Sequence, residues 1–291
     1  MNTPAETSPT TEELVELAET LARAAGTLVR EGRPSRVDVA ATNSSPIDVV
    51  TAMDLASESL LREMLAAARP QDGILGEEEG GLVGGTSGIT WVLDPIDGTV
   101  NYLYWIPAYA VSVAAVTGPP DPALWTVQAA CVHSVADGRT WTAGRGTGAW
   151  LDGERLAVNA PTSLAQSLVG TGFGYTVERR RSQARVLAEV LPLIRDIRRI
   201  GSAAMDLCSL ANGALDLYFE RGLGPWDLAA ASLVAQEAGA VVTGLRGARA
   251  GTAMTVAGPQ PTVGELVALL ERLDADSDAE AEPDCSFAGI G

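Results

Sequence analysis

Leucine and alanine recur every three or four positions in several segments, and the positions between them are polar. Such spacing places the apolar residues on one face of a helix. In the first segment the stripe includes Leu14, Leu17, Leu21 and Leu28, and Thr11 is expected to cap the helix. Gly213 is expected to stop a later helix. The pattern predicts helices over residues 11–30, 54–68, 176–193, 202–212, 226–238 and 262–273.

Shorter apolar runs, bounded by glycine, proline and aspartate, predict β-strands. These runs cover residues 89–93, 110–117, 124–132, 140–143, 149–151, 215–220, 240–243 and 254–257. The strands between 110 and 151 follow one another without a helix and are expected to form an antiparallel sheet. One compact unit of alternating helix and sheet layers, α+β or α/β, is the simplest arrangement.

Composition restricts the class of protein. A chain of 291 residues with 46% hydrophobic residues can bury a large core. No run approaches the roughly 20 apolar residues of a membrane span, and no secretory signal is visible near Met1, so no membrane association is expected. The three widely spaced cysteines (Cys131, Cys208 and Cys285) indicate free thiols and predict a cytoplasmic location.

The formal net charge of −17 makes nucleic acid unlikely as a main ligand. Residues 274–291 carry part of this charge and are expected to be a disordered acidic tail, as residues 1–10 are expected to be a disordered N-terminus. Such a charge also repels phosphate, so a phosphate-handling protein of this kind needs metal ions for local positive charge.

Residues 91–99 (WVLDPIDGT) carry the most informative pattern. Asp94 and Asp97 lie three residues apart after an apolar run, and Pro95 and Gly98 are expected to shape a tight turn around them. Paired carboxylates suit a hard divalent cation, and the amides after Gly98 could face a phosphate oxygen. The alternative interpretation is a solvated Asp-Pro turn.

Three further acids fit a metal site less clearly when each is taken alone. Glu77 opens the acidic run GEEEG after Ile74, and such runs are usually solvated loops. Asp227 and Asp54 each stand at the head of a predicted helix, where an aspartate is usually a cap. Their joint occurrence with the 94–99 motif indicates one site.

Together these motifs resemble those of the inositol monophosphatase family. GEE and DPIDGT occur in the family's order, followed by WDLAA, and DVVTAMD and GSAA also fit; they lie at residues 76–78, 94–99, 226–230, 48–54 and 201–204. The similarity covers roughly residues 11–273, which would be the catalytic domain, and its context is closest to bacterial inositol-1-monophosphatases. The resemblance implies a layered αβαβα sandwich and a magnesium-dependent, lithium-sensitive phosphatase.

The resemblance also implies a metal set. Glu77, Asp94 and the carbonyl of Ile96 would hold a first Mg²⁺. Asp94, Asp97 and Asp227 would hold a second, and Glu77 would contribute to a weaker third. Mn²⁺ is expected to substitute and Li⁺ to inhibit.

The remaining roles follow from the same resemblance. Thr99 with Glu77 would orient and deprotonate a water, the amides of Gly98 and Thr99 would hold the phosphate, and Asp54 would lie in the outer shell. The residues implied to meet the substrate's hydroxyls are Asp97, Ala203, Glu220 and Asp227.

The substrate stays open at this point. Inositol 1-phosphate is favoured, but relatives also act on fructose 1,6-bisphosphate, histidinol phosphate and adenosine 3′,5′-bisphosphate. Asn43 stands where some relatives have a lysine at the site's mouth. The basic run 179–181 is expected to be a solvated helix face, or else to line the phosphate entrance.

A second class of function is an interaction protein that binds transcription machinery, as some bacterial relatives do. The resemblance further implies a homodimer, with the segment 195–200 and its neighbouring helices as the hypothetical interface.

Overall fold

The computed structural model describes residues 8–43, 48–78, 81–119 and 121–278. Its helices are α1 (Thr11–Glu31), α2 (Ala52–Ala68), α3 (Thr99–Leu103), α4 (Val177–Val190), α5 (Ala203–Ala211), α6 (Pro225–Glu237) and α7 (Thr262–Arg272). Its strands are β1 (Val39–Thr42), β2 (Val49–Thr51), β3 (Gly73–Gly76), β4 (Leu82–Val83), β5 (Ile89–Asp97), β6 (Ala110–Thr117), β7 (Thr126–Ser134), β8 (Thr140–Gly144), β9 (Gly148–Leu151), β10 (Glu154–Arg155), β11 (Leu168–Thr171), β12 (Asp196–Arg198), β13 (Leu217–Glu220), β14 (Val241–Thr243) and β15 (Thr255–Gly258).

Thirteen of these strands form two large sheets that alternate with helices, and β1 and β2 pair as a separate two-stranded sheet. The eight-stranded sheet has the order β10-β9-β8-β7-β6-β5-β3-β4, and the five-stranded sheet has the order β12-β11-β13-β15-β14. Helices α5 and α6 pack between the sheets, α1 and α2 cover the outer face of the first sheet, and α4 and α7 cover the second. The layered αβαβα sandwich expected from the sequence is confirmed.

Apolar side chains of the first sheet point alternately to its two faces, and each face is covered by a pair of helices. On β5, Trp91 and Leu93 pack toward α1 and α2, while Val92 packs toward α5 and α6. A strand buried on both faces has no polar side, which is why β5 and β6 are almost continuously apolar.

The predicted helices are all present, with small shifts at their ends. The expected cap of α1 was wrong by one residue: Thr10 accepts from the amide of Glu13, and the Glu13 carboxylate accepts from the amide of Thr10. This reciprocal capping box satisfies two amides that the helix leaves unpaired. Helix α2 begins at Ala52, earlier than predicted, after its cap Thr51. Gly213 has φ +76° just after α5, as expected for a stop.

The description of Asp94 and Asp97 as lying in a tight turn was wrong. Strand β5 continues through both residues, and its pairing with β6 shifts register between them. The chain turns only at Gly98, which has φ +100°. Because Pro95 has no amide hydrogen, the ladder cannot run regularly through this stretch.

The sequence did not predict several short elements, namely β1, β2, β4, β10, β11, β12 and α3. Each has five residues or fewer, too few for a recognisable alternation. Two of them, β11 and β12, pair in parallel, and β11 also pairs in parallel with β13.

The C-terminal segment, residues 274–278, makes specific contacts after α7. Ala275 is 3% exposed, and the Ser182 hydroxyl donates to the carbonyl of Ser277 at 2.7 Å. The rest of the predicted acidic tail and nearly all of the predicted disordered N-terminus lie outside the described residues, as does Cys285. Cys131 and Cys208 are buried free thiols. No helix in the described ranges is long and apolar enough to cross a membrane.

Candidate active site

A cavity of about 480 Å³ opens where several elements end. Glu77 reaches it from the residue after β3, Asp94 and Asp97 from β5, Thr99 from the start of α3, and Asp227 from the first turn of α6. Residues from distant parts of the sequence therefore meet in one place. The structure brings together the four acids implied as metal ligands, Glu77, Asp94, Asp97 and Asp227, whereas Asp54 does not line the cavity.

Asp94 is the most deeply buried of these acids. Its side chain is fully buried, and neither of its carboxylate oxygens has a hydrogen-bond partner. Ligand oxygens of Asp94, Asp97 and Asp227 lie within 4.8 Å of one another. Burial raises the pKa of Asp94 well above its ordinary value, and the neighbouring Glu77 raises it further. A buried carboxylate without donors is costly unless a cation compensates it.

Asp97 and Asp227 are held in place by helix termini. Asp97 Oδ2 accepts from the Ser202 hydroxyl at 2.6 Å and from the amide of Ala204 at 2.7 Å, at the start of α5. Asp227 Oδ2 accepts from the amide of Gly224 at 2.7 Å, so it caps α6. These bonds engage one oxygen of each carboxylate. Asp227 therefore caps α6, as the sequence suggested, and also belongs to the acidic cluster.

Burial, with a smaller contribution from Asp97, raises the pKa of Asp227 to about 8. The pKa of Asp97 is raised by burial too, against the lowering effect of the Ser202 hydrogen bond. Glu77 lies in the same cavity but outside the closest oxygen cluster. Burial and then the charge of Asp227 raise the pKa of Glu77 well above its usual range.

The Thr99 hydroxyl lies 3.0 Å from Asp54 Oδ1 and 3.0 Å from the carbonyl oxygen of Ile96. Asp54 is 1% exposed, and its Oδ2 accepts from the amide of Thr51 at 2.9 Å, so its orientation is fixed from α2. Burial raises the pKa of Asp54. The partners of the Thr99 side chain are therefore Asp54 and Ile96, whereas the sequence paired Thr99 with Glu77.

Gly98 makes the turn that brings Thr99 into the cavity. Its φ of +100° is in the left-handed region, and a Cβ there would come within 2.9 Å of the Ala108 carbonyl oxygen. Glycine is required on both counts. Gly98 and Thr99 both line the cavity, as expected for residues whose amides would face a phosphate.

The remaining predicted substrate contacts also line the cavity. Ala203 lies at the start of α5, and Glu220 ends β13. Tyr218 donates its hydroxyl hydrogen to Glu220 Oε2 at 2.6 Å. Burial raises the pKa of Glu220 to about 7. A Cβ at Gly172 would come within 2.0 Å of Glu220 Oε1, so this glycine makes room for the carboxylate.

Some contributing residues were not identified from the sequence. Ser202 orients Asp97, Arg199 and Tyr175 line the cavity, and the buried Glu58 accepts from the amide of Glu78 at 2.8 Å. Ser202 could have been found as the cap of a predicted helix. Asn43, singled out as a departure from some relatives, does line the cavity.

The donors fit a hard divalent cation. They are oxygens only, they come from several carboxylates in close proximity, and both Asp94 oxygens are unpartnered. Magnesium and calcium prefer such ligands, whereas zinc and copper favour nitrogen or sulfur. The arrangement suits chemistry on an anionic substrate that the acidic cavity would otherwise repel.

Most of the chain is similar to proteins of a known family. The sequence model of the inositol monophosphatase family matches residues 10–276. The inositol-1-monophosphatase SuhB of Mycobacterium tuberculosis H37Rv is 48% identical over 241 residues, covering 79% of this chain and 81% of that protein. The Nus factor SuhB of Pasteurella multocida is 36% identical over 236 residues, covering 80% and 86%.

The solved structure of Mycobacterium tuberculosis SuhB superposes with a TM-score of 0.77 at 42% identity, covering 93% of this chain and all of that one. The fold is thus that of the inositol monophosphatases, and the expected family is confirmed. The chain belongs to the inositol monophosphatase family of phosphatases.

Proposed function

We propose that this protein hydrolyses inositol 1-phosphate, and related polyol phosphates, to the alcohol and inorganic phosphate with Mg²⁺ as cofactor. The observation that carries the proposal is the buried cluster of Asp94, Asp97 and Asp227, with both Asp94 oxygens unpartnered. The name of the Mycobacterium tuberculosis relative supports the substrate.

Two or three ions would be held by residues of the cavity. Glu77, Asp94 and the Ile96 carbonyl would hold one ion, Asp94, Asp97 and Asp227 another, and Glu77 would contribute to a weaker third. When bound, Mg²⁺ supplies a Lewis acid that neutralises phosphate oxygens and lowers the pKa of water. Mn²⁺ would substitute, and Li⁺ would inhibit.

The protein groups would position the reactants. The amides of Gly98 and Thr99 would hold the phosphate, and Ala203 and Glu220, with Asp97 and Asp227, would meet the hydroxyls of the alcohol. The water oxygen would bond to phosphorus as the ester bond opposite it breaks, and the departing alcohol oxygen would take up a proton.

Thr99 would orient the attacking water and relay its proton. Its hydroxyl contacts Asp54, and burial raises the pKa of Asp54 above its ordinary value, which favours this carboxylate as the group that receives the proton. Glu77, across the same cavity, would assist in holding the water. Asp54 would thus act directly in the relay, beyond the outer-shell role expected from the sequence.

The experiment is phosphate release from a panel of substrates, with Mg²⁺, with Mn²⁺, after chelation, and with added Li⁺. The panel contains inositol 1-phosphate, fructose 1,6-bisphosphate, histidinol phosphate and adenosine 3′,5′-bisphosphate. The highest kcat/KM is expected for inositol 1-phosphate, with loss of activity on chelation. A higher kcat/KM for another member of the panel would reassign the substrate, and undiminished activity without metal would refute the cofactor.

A second candidate function is binding to transcription machinery. It is favoured by the name of the Pasteurella multocida relative, a Nus factor. Absence of activity on the whole panel with Mg²⁺ present would favour this function over hydrolysis.

We also propose a homodimer. Strand β12 is the edge of the five-stranded sheet and includes part of the segment 195–200, and Tyr104 and Trp105 are exposed by 70% and 61%. An open edge and exposed aromatics are common at interfaces. A monomeric mass in solution scattering at micromolar concentration would refute the dimer.

A further inference from the structure

Two arginines from separate elements hold one carboxylate beside the cavity. Arg179 of α4 donates from Nε and Nη2 to the two oxygens of Asp278, at 2.7 and 3.0 Å. Arg221, which follows β13, donates from Nη1 and Nη2 to the same oxygens, at 2.5 and 3.2 Å. Paired guanidinium forks of this kind bind phosphate as well as carboxylate. We name Arg179 and Arg221 the arginine clamp.

The clamp adjoins the active-site cavity. Arg221 lines the same cavity as Asp94, its side chain is 9% exposed, and its buried Nε has no hydrogen-bond partner. Gly222 also lines the cavity, and a Cβ there would lie 3.0 Å from Arg179 Nη1. The clamp therefore stands at the cavity wall with hydrogen-bonding capacity that Asp278 does not use.

The carboxylate is more accessible than the clamp. The Asp278 side chain is 41% exposed, against 23% for Arg179 and 9% for Arg221. It belongs to the C-terminal segment, which is attached to α4 through the bond from Ser182 to Ser277. Among the described residues, this segment is paired with no strand of a sheet, whereas Arg221 lies between β13 and α6.

We propose that the arginine clamp is an anion-binding subsite of the cavity. Asp278 occupies it in the absence of substrate, and a substrate with a second phosphate competes with Asp278 for it. The C-terminal segment thereby selects for substrates with a single phosphate. This inference rests on the proposed function, because it concerns which phosphate esters the same cavity accepts.

The test compares Asp278→Asn with Asp276→Asn in the full chain. Asp276 is a matched control, since it lies in the same segment but pairs with Arg246, which does not line the cavity. With saturating Mg²⁺, Asp278→Asn should lower the KM for fructose 1,6-bisphosphate by about fivefold or more, the effect of removing a competing charge-assisted contact. The KM for inositol 1-phosphate should change less than twofold, and Asp276→Asn should leave both unchanged.

Adding Arg221→Gln to Asp278→Asn should abolish the decrease in the KM for fructose 1,6-bisphosphate. Adding Arg221→Lys instead should preserve part of that decrease. The proposal is overturned if Asp278→Asn changes both substrates by the same factor, or if Asp276→Asn has the same effect.

A second measurement does not depend on turnover. Amides of the segment are hydrogen bonded, for example Ala275 to the carbonyl of Leu270 at 3.0 Å, so hydrogen exchange reports its release. Fructose 1,6-bisphosphate with Mg²⁺ should accelerate exchange over residues 274–278, whereas inositol 1-phosphate should not. If the chain hydrolyses no substrate, the proposed function fails, but the exchange measurement still tests the anion-binding subsite. Equal exchange rates with both compounds would refute the subsite.

Discussion

Replacing Asp94 with asparagine should stabilise the metal-free protein while it abolishes catalysis. The ligand oxygens of Asp94, Asp97 and Asp227 lie within 4.8 Å of one another. At that distance and an effective dielectric constant near 20, two carboxylates repel by about 3 kcal/mol. Asparagine has nearly the same shape without the charge, and its amide can donate to a neighbouring carboxylate. In the wild type, protonation already removes part of the repulsion among the three carboxylates. We therefore count only one repelling pair and expect the free energy of unfolding to increase by about 3 kcal/mol.

The gain should depend on pH. Burial and like charges raise the pKa of Asp94 above its ordinary value of 3.8, so the folded state binds this proton more tightly than the unfolded state does. The wild-type protein therefore loses stability as the pH rises from the unfolded pKa through the raised one. The stabilisation by Asp94→Asn should therefore be smallest at acidic pH, near the unfolded pKa of 3.8, and should grow as the pH rises.

Thermal unfolding after chelation measures the effect. A gain of about 3 kcal/mol corresponds to a Tm increase of roughly 6 °C for a domain of this size. Mg²⁺ should raise the Tm of the wild type by binding the folded state, and this shift should be lost in Asp94→Asn. Asp206→Asn is the control, because Asp206 is a buried acid outside the oxygen cluster, and the Mg²⁺ shift should persist in it. A lower metal-free Tm for Asp94→Asn, or a retained Mg²⁺ shift with near-wild-type turnover, would refute the reasoning.

Three further substitutions test the surroundings of the site. Thr99→Val removes the hydroxyl that contacts Asp54 and should lower kcat at least about 100-fold with little change in KM, whereas Thr99→Ser should keep most activity; equal kcat for both variants would exclude the relay. Gly172→Ala places a Cβ where Glu220 lies and should raise the KM for inositol 1-phosphate several-fold with a smaller effect on kcat, and an unchanged KM would remove Glu220 from substrate binding. Gly98→Ala forces a side chain into left-handed backbone and should cost about 1–3 kcal/mol in urea unfolding; a cost below about 0.5 kcal/mol would contradict the strain.

The family and the identities of the site residues could be predicted from the sequence because they depend on local patterns. The DPIDGT motif at 94–99, the GEE motif at 76–78 and the aspartate after Trp226 are each contiguous. The structure places Glu77, Asp94, Asp97 and Asp227 in one cavity. The helices were also predictable, because a buried stripe such as that of Leu14, Leu21 and their neighbours repeats at helical spacing.

The backbone around the motif was not predictable. Pro95 and Gly98 suggested one tight turn, but pairing with β6 extends β5 through Asp97, whereas pairing with β3 ends at Leu93. Pairing with residues far along the chain thus overrides the local preference. For the same reason, short strands such as β11 and β12 form because they pair with neighbouring strands, and their sequences show no recognisable alternation of apolar and polar residues.

Sequence alone determined which oxygen donors this protein has and which family it belongs to, because these are recorded in contiguous motifs. Only the tertiary structure decided what each donor contacts. The orientation of Asp97 by Ser202, the contact of Thr99 with Asp54, and the approach of Asp278 to Arg221 join residues 105, 45 and 57 positions apart. Contacts over such separations depend on how the layers pack, and no local pattern of residues encodes them.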